Sequence, residues 1–189
     1  MITIVPYDPR WPAEFETIRA TLQEALGDLA LRIDHIGSTA VTGLAAKDRI
    51  DIQITVRELS PEAETALQRY GYTRSLRNPG DHAPPGFEGP ASEWEKWFFN
   101  PPEIHRPANI HMRIQGRANQ RYALLFRDYL RTHPMAAQAY GRVKMALARY
   151  HADDIDAYYD VKDPVCDIIM AGAEDWAQHM QWQAALAEQ

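Results

Sequence analysis

HIGSTAVTGLAAKDRIDIQ, residues 35–53, is the stretch on which the reading of this chain turns. Ahead of it Leu31, Ile33 and His35 alternate with Arg32 and Asp34, which predicts a short strand ending at Gly37. Residues 38–48 are rich in small residues and read as a loop or a short helical turn. Ile50, Ile52, Ile54 and Val56 then recur at period two and predict the clearest strand in the sequence. Gly37 lets the backbone approach a ligand closely, and the N–H groups and hydroxyls at Ser38 and Thr39 can receive phosphate oxygens. Asp51 and Gln53 fall on the strand face opposite the isoleucines. A strand carboxylate beside a phosphate-receiving turn lets a divalent metal bridge protein and polyphosphate.

Outward from this segment the pattern predicts an α+β fold, a mixed β-sheet flanked by helices with a helical C-terminal third. Asp8-Pro9 reads as a cap and first turn for an amphipathic helix over residues 9–26, carrying Phe15, Ile18, Leu22 and Leu26 and stopped by Gly27. Ser60-Pro61-Glu62 opens a second helix, with Ala63, Leu67 and Tyr70 on one face and Gly71 as its stop. Tyr72 begins a strand. Residues 77–93, rich in Pro and Gly, are a surface loop, and His82 within it reads as solvated. Trp97-Phe98-Phe99 and Ile110, Met112, Ile114 are two more strands. From 117 onward the spacing is helical: Tyr122, Leu125, Phe126 and Tyr129 share a face, and His133-Pro134 breaks one helix and starts another. Asp163-Pro164 opens a last helix, with Val165, Ile168, Ile169, Gly172 and Trp176 facing inward. The five tryptophans read as packing residues.

A chain of 189 residues, 46% hydrophobic, fits a single domain over 1–189 with a sizeable core. Its one cysteine, Cys166, allows no internal disulfide, and no signal peptide or membrane span is expected, so the expected location is cytoplasmic. A net charge of -6 argues against nucleic acid as a partner and leaves a small phosphorylated ligand, which needs only a local positive pocket. The cations are biased towards arginine. The four lysines are Lys47, Lys96, Lys144 and Lys162, and such scarcity suggests that lysine is kept where a compact, flexible charge is needed.

The sequence resembles the GrpB family, whose domain also occurs fused to some bacterial dephospho-CoA kinases. The residues that carry the resemblance are His35-Ile36-Gly37-Ser38-Thr39, Gly43-Leu44-x-Ala46-Lys47, Ile50-Asp51-Ile52, Asn109-Ile110-His111 and Phe126-Arg127-Asp128-Tyr129-Leu130-Arg131-x-His133-Pro134. Tyr140, Lys144, Tyr159 and Lys162 follow at suitable positions. The resemblance implies a nucleotidyltransferase-like fold. Nucleotidyltransferases carry two acids on the strand, one residue apart, and here the second position is Gln53. A third acid sits on a neighbouring strand, where this chain offers His111. The family also shows proline where this chain has Thr42 and Asp48.

The candidate site follows. Gly37, Ser38 and Thr39 would hold phosphate, Lys47 stands between that turn and Asp51, and Lys96 flanks the open face of the sheet. Arg127, Lys144, Tyr159 and Lys162 would supply cations and a hydroxyl from the helical third, with an Arg127–Asp128 ion pair as the alternative for Arg127. Asp51 and His111 are the candidate catalytic and metal-binding residues. Asp51 would carry one Mg²⁺, and His111, out of phase with its apolar neighbours, is a ligand or a base near pH 7. His35, in phase with Ile33, reads as a core histidine. The expected partner is a nucleotide or another phosphorylated small molecule, and the expected activity nucleotidyl transfer. A catalytically silent ligand-binding module and a coenzyme A-pathway accessory domain are the alternatives. A metal-dependent hydrolase using His35, Asp51 and His111 is a more distant one.

Overall fold

The computed structural model describes residues 1–77 and 79–184. Position 78 of the expected loop and positions 185–189 of the expected domain lie outside it. Five strands form one mixed sheet: β1 (Arg32–Ile36), β2 (Ile50–Val56), β3 (Thr73–Ser75), β4 (Trp97–Asn100) and β5 (Ala108–Ile114), in the order β1-β2-β5-β4-β3. Only the central pair, β2 and β5, is parallel, with Asp51 opposite Asn109 and Gln53 opposite His111. The alternation seen in the sequence sorts the two faces. Ile50, Ile52, Ile54, Ile110 and Met112 are fully buried on one face, under α1 (Trp11–Leu26) and α2 (Pro61–Arg69). Burying each such side chain contributes about 1.5–3 kcal/mol. The other face carries Asp51, Gln53, Asn109, His111 and Arg113, and α3 (Ala118–Thr132), α4 (Pro134–Tyr150) and α5 (Ile155–Met180) stand over it.

The first helix places Trp11, Phe15, Ile18, Leu22 and Leu26 on its buried stripe as expected, but it begins later. Asp8 folds back on Arg10, accepting from its backbone N–H at 2.9 Å and pairing with its guanidinium, so Arg10 occupies the cap position and Pro12 the first turn. The second helix is capped as its sequence demands: Ser60 Oγ accepts from the Ala63 N–H at 3.3 Å. Tyr72 is buried but stands just before β3 rather than within it.

The last helix corrects the reading of Asp163-Pro164. It begins at Ile155, where Asp154 caps by accepting from the Ala157 N–H at 2.9 Å, and Pro164 lies inside it. An internal proline removes one helix hydrogen bond, here the one to the Asp160 carbonyl. Both residues face solvent, so water can take the freed carbonyl, and Tyr158, 1% exposed, anchors the preceding turns in a cluster with Ile2 and Leu147. The early start sets Tyr159 and Lys162 on one helix at i and i+3. Ile168 is exposed rather than inward; Tyr158, Met170, Ala173 and Ala177 are the residues that α5 buries.

Candidate functional site

Between the polar sheet face and the C-terminal helices lies a cleft of about 620 Å³, within the size range of small-molecule sites. One end is built by the turn after β1. Gly37 has φ +69° and ψ −168°, a conformation closed to other residues, and a Cβ placed there would sit 2.5 Å from Asp51 Oδ2. Glycine is therefore what lets the turn cross the carboxylate. Gly37→Ala is expected to lower stability by about 1–3 kcal/mol through backbone strain and to push Asp51 aside. Urea denaturation checks this, and an unchanged midpoint would show that the turn relaxes freely.

Ser38 follows in a short 3₁₀ turn and its Oγ accepts from Lys144 Nζ at 2.7 Å. Lys144 also donates to the Ala45 carbonyl at 2.5 Å. Burial lowers the pKa of Lys144 to about 7, although the charge of Asp51 opposes the shift. Asp51 itself is pushed up by burial, against the hydrogen bond from Asn109 Nδ2 at 2.7 Å and the charges of Lys144, Lys162 and Arg49. Lys47 reaches the same end from the loop, donating to the Tyr159 hydroxyl at 3.3 Å and lying 4.6 Å from the centre of the Tyr158 ring. Lys162 donates to Asp163 at 2.8 Å and lies 5.2 Å from the Tyr159 ring.

The other end is organised by a residue that the sequence reading missed. Asp81, from the proline-rich segment, turns inward and accepts from Lys96 at 2.5 Å, from Arg113 Nε at 2.8 Å and from Asn119 Nδ2 at 3.1 Å. Burial alone would raise its pKa, but Arg113 and Lys96 hold it well below the carboxylate range. Lys96, also expected at the open face, is buried, and burial lowers its pKa while Asp81 opposes the shift. Arg113 extends to Gln53, whose Oε1 accepts at 2.6 Å while its Nε2 donates to the Gln120 carbonyl at 3.1 Å. Gln53 is thus fully engaged in holding the fold. His82 is not merely solvated: it lines the cleft and pairs with Asp167 of α5 at 3.0 Å.

Of the residues singled out, Gly37, Ser38, Lys47, Asp51, Lys96, His111, Lys144, Tyr159 and Lys162 all line this cleft. Two do not. Thr39 faces the core, 1% exposed, with its hydroxyl 2.9 Å from His35 Nε2. His35 itself stacks on Phe15 at 4.7 Å, and burial takes its pKa down to about 3, which makes it a neutral core residue. Arg127 is turned to β1, where it pairs with Asp34 and Asp128 and donates to the His35 carbonyl at 3.1 Å. Its charge is spent within the fold. Arg113 and Asn109 share the strand face of His111, so the same out-of-phase alternation that marks His111 marks them too. No sequence signal marks Asp81.

The donor set limits what metal could sit here. Among the described residues no group of three His, Cys, Asp or Glu side chains converges to hold an ion. Asp51 and His111 stand on adjacent strands, two residues apart in register, and Gln53 is committed elsewhere. These residues do not fit a pair of ions. Burial, Arg113 and Lys96 hold His111 well below its ordinary pKa, so its imidazole is neutral.

Comparison with known proteins agrees with this architecture. The family model described as "GrpB protein" matches residues 1–172. A dephospho-CoA kinase of Mycolicibacterium paratuberculosis is 38% identical over 196 residues, covering 96% of this chain and 48% of that protein. The chain spans about half the length of the curated kinases it matches. A UPF0157 protein of Halalkalibacterium halodurans is 33% identical over 174 residues, 91% of this chain and 82% of its own length. The crystal structure of the conserved protein GrpB from Enterococcus faecalis superimposes with a TM-score of 0.74 at 30% identity, over 92% of this chain and 99% of that one. Among the described residues no helix is long and apolar enough to cross a membrane. With nearly the whole sequence and its fold matched together, the chain belongs to the GrpB family.

Proposed function

We propose that the cleft binds the phosphates of a nucleotide or a closely related phosphorylated small molecule. The observation that carries this reading is the placement of lysine. The chain has four lysines in 189 residues, and all four line this one cleft. With Arg49 and Arg113 they set six cations against Asp51, Asp81 and Asp163, in a protein whose net charge is -6. Lys96 and Lys162 already face Asp81 and Asp163, whereas buried Lys144 donates to the neutral oxygens of Ser38 and Ala45; a buried ammonium is costly without a counter-ion, and a phosphate group supplies one. Ser38, Lys144, Lys47 and Lys162 form the phosphate end.

In the active form of this reading, an acceptor hydroxyl attacks the α-phosphorus, the bond to the bridging oxygen breaks and pyrophosphate leaves. Neutral His111 takes the proton from the acceptor, and the lysines stabilise the charge that develops on the leaving group. Asp51 would hold one Mg²⁺, its shell completed by ligand oxygens and water; such an ion polarises the phosphoryl oxygens. The engagement of Gln53 by Arg113 favours a second reading, a binding module without turnover. A role beside a dephospho-CoA kinase is a third, supported by the length that the chain shares with proteins of that name.

Thermal shift with nucleotides, with and without Mg²⁺, on wild type and Asp51→Asn tests this. A ligand at 100 times its Kd stabilises by about 2.7 kcal/mol. Pyrophosphate release lost in Asp51→Asn supports transfer, and stabilisation without release supports the silent module. If no phosphorylated ligand stabilises the wild type under any metal condition, the reading falls.

A further inference from the structure

The cleft is polar at its phosphate end and aromatic along its helical wall. From Lys144, which lies 4.6 Å from the Tyr140 ring, aromatic neighbours continue to Phe126 at 5.6 Å, Tyr122 at 6.3 Å and Trp94 at 5.8 Å. This ladder ends beside Asp81, whose N–H donates to the Trp94 carbonyl at 2.8 Å. Along the cleft three polar side-chain atoms are buried without a hydrogen-bond partner among the described residues: Trp94 Nε1, Asn119 Oδ1 and His111 Nδ1. All three residues line the cleft, and Trp94 and Asn119 are 7% and 1% exposed. Leaving such groups unpaired is costly, so their presence along one cleft points to something that pairs with them.

Their chemistry is specific. The indole N–H is a donor only. The Asn119 amide is oriented by its own partners: Nδ2 donates to Asp81 Oδ2 at 3.1 Å and to the Glu95 carbonyl at 2.9 Å, both acceptors, so Oδ1 is the free acceptor. The charges nearby are already spent, with Lys96 and Arg113 on Asp81. A matching ligand group is therefore neutral, flat enough to lie along Tyr122 and Phe126, and has both an acceptor and a donor.

We infer that the Trp94–Asn119 end of the cleft is a nucleobase subsite, which reads the hydrogen-bonding edge of a base whose phosphates lie at the Lys144 end. The inference rests on the phosphate reading above and deepens it: it selects a nucleotide over a plain sugar phosphate or polyphosphate. The atoms are closed off from solvent, so a base that pairs with them must displace the Trp94 ring from its place against the cleft. The backbone of the turn Ala91–Trp94 is fixed to α3, with Arg117 donating to the Ser92 carbonyl at 2.6 Å and Glu93 accepting from the Ala118 N–H at 2.8 Å, while the Trp94 ring is held by contacts to Phe87 and Tyr122.

Isothermal titration of the whole chain with the four nucleoside triphosphates, the four free nucleosides and inorganic triphosphate is the test, on wild type and Trp94→Phe. The substitution removes the N–H and keeps an aromatic ring. The expected result is that wild type prefers at least one nucleoside triphosphate over inorganic triphosphate, and that Trp94→Phe loses roughly tenfold of that preference while its affinity for inorganic triphosphate is unchanged. Because the indole N–H has no protein partner, thermal stability should hold. Wild-type affinity for triphosphate equal to that for every nucleotide overturns the subsite and leaves the phosphate site standing. Nucleosides that bind where triphosphate does not would support the subsite and sink the phosphate site. Binding of neither kind overturns both. If Trp94→Phe fails to fold, the wild-type preference alone decides.

Discussion

Arg113→Met is expected to destabilise the protein by about 3–5 kcal/mol, because it strands buried charge. Arg113 is 5% exposed and joins the two halves of a network: it donates twice to Asp81 and once to Gln53 Oε1. Its removal leaves Asp81 to Lys96 and Asn119 and leaves Gln53 Oε1 without its donor. Urea denaturation measures the loss, and Arg113→Met/Asp81→Asn should recover part of it by removing the stranded carboxylate. The pH dependence follows from Asp81. Its pKa is depressed on folding, so the stability it contributes is present above its ordinary value of 3.8 and is lost as pH falls below that value towards the depressed one. Wild type should therefore lose stability more steeply below about pH 4 than Arg113→Met does. A loss of well under 1 kcal/mol in Arg113→Met would show the network to be a surface feature.

Lys144→Met is expected to act the other way. The long apolar replacement fills the space and removes an ammonium whose charge the burial already disfavours, which offsets the loss of the hydrogen bonds to Ser38 and Ala45. Thermal stability should be unchanged or higher. The affinity for a phosphorylated ligand should fall by roughly 10- to 150-fold, the worth of one charge-assisted hydrogen bond. Titration at several pH values separates this role from simple packing. Burial has brought Lys144 to about 7. Below pH 7 it is already charged, and affinity is flat with respect to this group. Above pH 7 the free protein must take up a proton to bind, and affinity falls by up to about tenfold per unit until the pKa in the complex is passed. Terminal phosphates, with a second pKa near 6, are already ionised there and do not reverse the trend. Lys144→Met should be flat over the same range. A retained slope, or an unchanged affinity, would remove Lys144 from the phosphate site.

These two residues show how unevenly the sequence speaks. Lys144 was legible because lysine is scarce and because its position matched a family pattern; its contact with Ser38, 106 residues away in the chain, was not. Arg113 was legible only as a polar residue on a strand. Asp81 was invisible, because a proline-rich segment has no period from which an inward direction can be read. Arg127 shows the reverse error. It lies in a strong family motif, yet the approach of α3 to β1 spends its charge on Asp34 and Asp128. A motif marks that a residue matters without saying whether it serves the ligand or the fold.

The sequence by itself determined the α+β plan, the two faces of β2 and β5, the Gly37–Ser38 turn and the side of the sheet on which Asp51 stands. Each of these follows from local rules: period two in a strand, positive φ at a glycine, hydrophobic stripes at helical spacing. Only the tertiary structure decided that Lys47, Lys96, Lys144 and Lys162 meet in one cleft, that Asp81 reaches Arg113, and that α5 runs through Pro164. Those outcomes depend on contacts between residues far apart in the chain. There the cost of burying a charge or losing a helix hydrogen bond is set by what packs against it, and no single segment of sequence contains that information.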